Sequence, residues 1–149
     1  MNAIRDDRSR GQALVEFSLV LVPFLLIILG IADVGRGVYM NNGVAHAARE
    51  IARATSVHVC QPSLCSLGNS TETLAAIATQ KGLVPGLSGP AASIAIACTT
   101  INDTPVSGSG CSSGNFVRVT VRVPFAVLTP LLGMVSPKTL TSTAHVEVP

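Results

Sequence analysis

Gly11 and Glu16 stand five residues apart in Gly11-Gln12-Ala13-Leu14-Val15-Glu16-Phe17, at the head of an apolar run. From Leu14 to Ala32 the chain continues for 19 residues with Glu16 as its sole formal charge. A carboxylate inside a membrane-length helix costs on the order of a few kcal/mol unless it is paired or lies near the interface. A plain anchor has no use for such a group, so Glu16 calls for a partner. The other residues with chemistry of their own are Cys60, Cys65, Cys98 and Cys111. Their spacings, C-x4-C and C-x12-C, lack the close pairs of structural zinc sites, and no metal is expected. Four cysteines allow three pairings. The pairs 60–65 and 98–111 each close a short local loop and are the expected disulfides.

Nothing else assembles a reaction centre. The chain has no Gly-rich phosphate loop, nucleophile motif or acid cluster. His46, His58 and His145 are scattered, and the many Ser and Thr residues lack a partnered base. Arg118 and Arg122 share one strand face near His145, which suits a solvent-facing strand better than an anion site. No enzyme and no cofactor are expected. A net charge of +2 over 149 residues is too weak to argue for nucleic acid.

The elements that hold these residues follow from the hydropathy pattern. Residues 1–11 are polar, without periodicity, and read as an unstructured cytoplasmic leader. Arg5, Arg8 and Arg10 hold that end inside by the positive-inside rule, with Asp6 and Asp7 diluting the charge. The span 14–32 would rise about 28 Å as a helix, close to the hydrocarbon thickness of a bilayer. Pro23 lies within it and is expected to kink or loosen the preceding turn. Asp33 and Arg36 fall at its outer boundary. Gly30, Gly35 and Gly37 lower helix propensity there, so flexibility is expected before the helix resumes from Val38 to Val57. Val44, Ala47, Ala48, Ile51 and Thr55 share one face of that second stretch. The cysteines all lie beyond the span, on the side where disulfides persist.

Farther on, Ser70 is a candidate N-cap for a short helix to Lys81, with Leu74, Ile77 and Ala78 as its apolar face and Gly82 as its end. Three strands follow: Ala92 to Thr100, Asn115 to Val123 and Thr139 to Val148. In the second, Val117, Val119, Val121 and Val123 alternate with Phe116, Arg118, Thr120 and Arg122, a half-buried pattern. Residues 102–114 form a polar loop between the first two strands. Phe125 to Leu132 has no clear place in a sheet and is a candidate subunit contact. The expected fold is α+β and pilin-like, a long N-terminal membrane-spanning helix packed on a small antiparallel sheet of about three strands. The expected division is a leader at 1–11, the helix at 12–57 and an extracytoplasmic α+β domain at 58–149.

Three readings are open for the apolar run. It is a cleaved secretory signal ending at Ala45-His46-Ala47, an uncleaved anchor, or a prepilin-type segment. The A-x-A site lies more than ten residues past the run, which is itself longer than the usual signal core. An uncleaved anchor carrying an extracytoplasmic binding or adhesion domain leaves Glu16 unexplained.

Gly11-Gln12-Ala13-Leu14-Val15-Glu16-Phe17 resembles the prepilin peptidase site of Flp-type pilins, with Phe17 where those often have Tyr. The wider stretch from Arg10 to Ala54 resembles the TadE-like family of pseudopilins and minor pilins of the tight-adherence (Tad) pilus. The resemblance rests on that start, the Pro23-broken run and Ala47-Ala48-Arg49-Glu50-Ile51-Ala52-Arg53-Ala54. It is specific over about the first 55 residues, and TadF-like and TadG-like chains share the start. It implies cleavage after Gly11 by a prepilin peptidase, which frees the amine of Gln12. An α-amine is mostly charged at neutral pH, and Glu16 lies one helical turn away, able to neutralise that amine or a neighbour's. The implied partners are the peptidase, other pseudopilins, the Flp-type major pilin, an inner-membrane platform, a secretion ATPase and the lipid bilayer. The implied location is the bacterial inner membrane, single-pass, with the N-terminus cytoplasmic and the outer domain exported or carried into a pilus.

Overall fold

The computed structural model describes residues 3–59, 66–106, 111–129 and 139–149. The expected Cys60–Cys65 pairing lies outside the described residues. The elements are α1 (Ala3–Val57), α2 (Thr71–Leu83), β1 (Ser93–Thr99), β2 (Phe116–Pro124) and β3 (Thr139–Glu147). The strands form one antiparallel sheet in the order β1-β2-β3, so the fold is the expected α+β arrangement. The chain divides into two compact units, Met1–Arg36 with Val127–Ser136, and Gly37–Ala126 with Pro137–Pro149.

Two expectations about α1 are corrected. The leader is helical from Ala3, because extending an existing helix costs little once a nucleus is formed. Residues 3–10 contain neither Pro nor Gly to stop it. The helix, with Pro23 inside it, also runs unbroken through Gly30, Gly35 and Gly37, where the sequence predicts an interruption before Val38. Each glycine costs about 1 kcal/mol relative to alanine, a penalty that a 55-residue helix absorbs. At Gly37 a Cβ would make ordinary contact with the Phe125 ring, 3.4 Å from Cζ.

In the second unit, the expected helix face is the buried one. Val44, Ala47, Ala48, Ile51 and Thr55 are all buried, joined by Met40, Ala52 and Ser56. Exposed His46, Arg49, Glu50 and Arg53 occupy the other side. Opposite them the alternation in β2 holds, and Val117, Val119, Val121 and Val123 are fully buried. The register sets Ile94, Ile96 and Cys98 of β1 beside Val121, Val119 and Val117. On the other flank, Leu140, Ala144 and Val146 of β3 pair with Val123, Val119 and Val117. Short side chains on both layers let helix and sheet approach closely. Each buried valine contributes roughly 1.5–3 kcal/mol, well above an exposed ion pair at about 0–1 kcal/mol.

Helix α2 keeps its expected cap and loses its expected face. Ser70 adopts an extended conformation and its hydroxyl accepts from the backbone N–H of Thr73 at 3.2 Å. The buried residues are Thr73 and Gln80, whereas Leu74 is 50% exposed and Ala78 is exposed. A chain of hydroxyls explains the rotation. Ser70 donates to Thr73 at 2.7 Å, Thr73 to Thr55 at 3.3 Å, and Thr55 to the Ile51 carbonyl at 2.8 Å. Burying Thr73 against α1 is therefore cheap, because its polar atom is satisfied. The helix passes Gly82, ends at Leu83, and the Val84 N–H closes on the Gln80 carbonyl at 2.9 Å. Before α2, Gly68 sits at φ +89°, where a Cβ would lie 2.8 Å from Cδ1 of Ile96. Glycine is the residue that position accepts.

Candidate functional site

The motif at the head of the apolar run lies on consecutive turns of α1. Gly11, Gln12, Glu16 and Phe17 are all exposed, and Phe17 keeps 62% of its surface. Gln12 and Glu16 are one turn apart, on neighbouring positions of the helix surface. A Cβ added at Gly11 would meet nothing within 4 Å among the described residues. Gly11 is helical, so alanine would favour the helix by about 1 kcal/mol. The fold of this chain therefore supplies no reason for glycine at that position, nor a partner for Glu16 among the described residues.

The same holds for the run behind the motif. Leu14, Val15, Leu19, Val20, Phe24, Ile27 and Ile31 are exposed on every side of the helix. The helix is long and apolar enough to cross a membrane, and its most apolar window is wholly unburied. In water so continuous a surface is unfavourable, since isolated apolar patches on soluble monomers rarely exceed a few hundred Å². It needs lipid or neighbouring helices as its surroundings.

The group that sequence reasoning missed is Asp33. Only 3% of its surface is exposed. Its carboxylate accepts from the Leu128 N–H at 3.1 and 3.0 Å, from the Thr129 N–H at 2.7 Å, and from the Thr129 hydroxyl. Arg36, one turn on, places Nη2 at 3.7 Å from Oδ1. The Thr129 hydroxyl, then the two backbone donors, outweigh the opposing effect of burial, and Arg36 adds to them. They hold the Asp33 carboxyl below its ordinary value of 3.8. Asp33 and Arg36 are visible in sequence as a boundary pair. The partners of Asp33 lie 95 and 96 residues away, and no local pattern announces them.

The expectation for Phe125 to Leu132 divides accordingly. Phe125 does have a place: it packs half-buried against the helix–sheet core. Leu128 stays 71% exposed while Thr129 is buried, and residues 130–132 lie outside the described residues.

On the outer face of the sheet Arg118 has its anion within the chain. Its Nη1 lies 3.1 and 3.0 Å from the two oxygens of Asp103. His145, opposite Arg118 in the register, has Nδ1 3.8 Å from Asp103. Asp103 reaches them from a turn where its φ is +60°, a conformation that Asp tolerates better than most residues. The expected Cys98–Cys111 disulfide is formed, with the two Cα atoms 5.5 Å apart. It joins β1 to the residues just before β2. Ile77 keeps its expected inward role, half-buried against the core, while exposed Leu74 lines with it an open groove of about 470 Å³ that Leu67, Lys81, Ile94 and Ile96 complete.

Residues 11–53 match the family model described as TadE-like protein. The match starts at Gly11, ends at Arg53, and covers both the exposed run and the buried stripe of α1. No curated protein and no solved structure matches the chain.

Proposed function

From the TadE-like segment at residues 11–53, we propose that this chain is a structural pseudopilin or minor pilin of a Tad pilus. Its leader is removed after Gly11 by a prepilin peptidase. Its N-terminal helix is held in the inner membrane until it enters the pilus or its initiating complex, with the outer domain on the far side. The observation that carries this reading is a motif the fold does not use: Gly11 in open space, and Glu16 exposed within apolar surroundings. Residues without a role in their own chain suit recognition by another one. Glycine also gives the Gly11–Gln12 bond the weakest helical neighbourhood in the leader, which eases local unwinding for a protease. Once freed, the Gln12 amine lies one turn from Glu16 and neutralises it, or does so on the next subunit, where removing either partner leaves a costly lone charge. The partners on this reading are the peptidase, other pseudopilins and the major pilin. The platform and the secretion ATPase act at one remove.

The secretory-signal alternative fares worse. Cutting at Ala45-His46-Ala47 would strip Met40, Val44 and Ala47 from the core that covers the sheet.

Intact mass and N-terminal sequencing of the chain from cells with its own peptidase, beside Gly11→Trp, test the proposal. A wild-type chain beginning at Gln12 with an uncut variant supports it. Retention of residues 1–11 in both rejects it in favour of an uncleaved anchor.

A further inference from the structure

We infer that Val127–Thr129 is a second membrane contact, a loop tip held by Asp33 at the outer bilayer surface with Leu128 among the lipid headgroups. The inference rests on the reading of residues 14–32 as a membrane span.

The position follows from two facts within one compact unit. Asp33 directly follows the span, at its outer end. The backbone N–H groups of Leu128 and Thr129 both bond to its carboxylate, at distances from 2.7 to 3.1 Å. Leu128 is therefore fixed within hydrogen-bonding reach of the residue that leaves the hydrocarbon, at about the level where acyl chains meet headgroups.

The character of the loop fits that level. Leu128 is apolar and 71% exposed, while its neighbour Thr129 is buried with its hydroxyl on Asp33. Polar atoms are turned inward and consumed, and an aliphatic side chain is turned out. One exposed leucine is tolerated in water, whereas at an interface the same arrangement gains by burying it. Lipid is the chosen occupant because of continuity. The Asp33 carboxylate joins Leu128 to the end of the span, where Ile31 and Val34 are also exposed apolar residues.

The arrangement also accounts for Asp33. A carboxylate beside hydrocarbon is expensive unless its oxygens are satisfied. Here three donors from the loop and Arg36 do so. Asp33 is thus a positioning residue, tying a distant loop to the end of the span.

The chain has no tryptophan, so a single introduced one reports alone. Leu128→Trp, Phe24→Trp within the span, and Arg53→Trp on the exposed side of α1 would be reconstituted as full chains. The vesicles would be phosphatidylethanolamine and phosphatidylglycerol, brominated either near the headgroup or near the acyl end. Leu128→Trp should lose about two-fold in emission with the shallow bromines and less with the deep ones, as expected of a ring at headgroup level. Arg53→Trp should be unaffected. Adding Asp33→Ala to Leu128→Trp should bring its quenching towards that of Arg53→Trp, and an unchanged signal would refute the positioning role. Leu128→Trp unquenched beside a quenched Phe24→Trp overturns the inference and leaves the span intact. If it is unquenched yet blue-shifted, the loop packs on protein instead, which equally overturns it. Phe24→Trp unquenched as well means that the membrane reading itself has failed.

Discussion

Helix α1 has two halves with the same backbone and opposite surroundings. Between Gly11 and Arg36 nearly every large apolar side chain is exposed, around the full circumference. Between Gly37 and Val57 the buried residues form one stripe, at 40, 44, 47, 48, 51, 52, 55 and 56. The first half is rich in Leu, Ile, Val and Phe, while the second puts alanines where the sheet must come close. Helix propensity does not distinguish them. What differs is the cover, which for the second half is the valine face of β2 and for the first, among the described residues, is limited to Leu128 and Thr129 at Asp33. A helix that is apolar all round belongs in lipid or among other helices, and one with a single stripe belongs on a protein surface.

The sharpest way to break that contrast is to truncate one aliphatic residue in each half. Ile51→Ala should lower the stability of the helix–sheet unit by about 2–5 kcal/mol, since it opens a cavity in packed surroundings. Leu25→Ala should change it by less than about 0.5 kcal/mol. Urea unfolding in detergent micelles, followed by the circular dichroism of the sheet, measures both. Equal losses would mean that the halves are not differently covered. Next comes the covalent tie within the helix–sheet unit. Replacing Cys98 and Cys111 together by Ser should cost about 3 kcal/mol for a loop closed over a separation of 13 residues. Insertion of the span, read by protease protection in vesicles, should be unaltered. Ser70→Ala should cost about 1 kcal/mol in the same unfolding assay, because the Thr73 N–H and the head of the hydroxyl chain lose their partner.

The smallest effect is local and belongs to the other unit. The Asp33 carboxyl is held below 3.8, so its contribution is complete above that value and is lost only as the pH falls through the lower one. The protection of the Leu128 and Thr129 amides from hydrogen exchange, relative to their intrinsic rates at each pH, should persist at pH 5 and fall on stronger acidification, while the protection of the β2 amides does not change. Fast exchange at these two amides at neutral pH would show that the bonds are not maintained.

These contrasts also explain what could be read from the chain. The valine alternation in β2, the stripe from Val44 to Thr55, the Ser70 cap and the Cys98–Cys111 loop are signals of local spacing, and local spacing is preserved on folding. The orientation of α2 is not such a signal. Leu74 and Ala78 look like an inward face, yet the Thr73–Thr55 hydrogen bond selects another, with Ile77 left half-buried beside the groove. Gly37 reads as a helix breaker, yet the helix runs through it, and no local pattern announces the distant Phe125 ring beside it. Asp33 reads as an ordinary boundary charge for the same reason. Of the candidate site, Gly11, Gln12, Glu16 and Phe17 are legible as a motif because their spacing is local, and all four are exposed on α1.

The buried stripe of α1 has a consequence in time. Its covering strands are the last parts of the chain to be made: β2 begins at Phe116 and β3 ends at Glu147. At about 5–20 residues per second of synthesis, the stripe complete at Val57 waits several seconds for β2 and longer for β3. During that interval it is an uncovered ribbon on the same helix as the apolar run. Alanine at three of its positions, Ala47, Ala48 and Ala52, keeps the ribbon only weakly adhesive while it waits. Larger residues there would obstruct the finished interface and would also prolong the chance of a wrong partner before the right one exists.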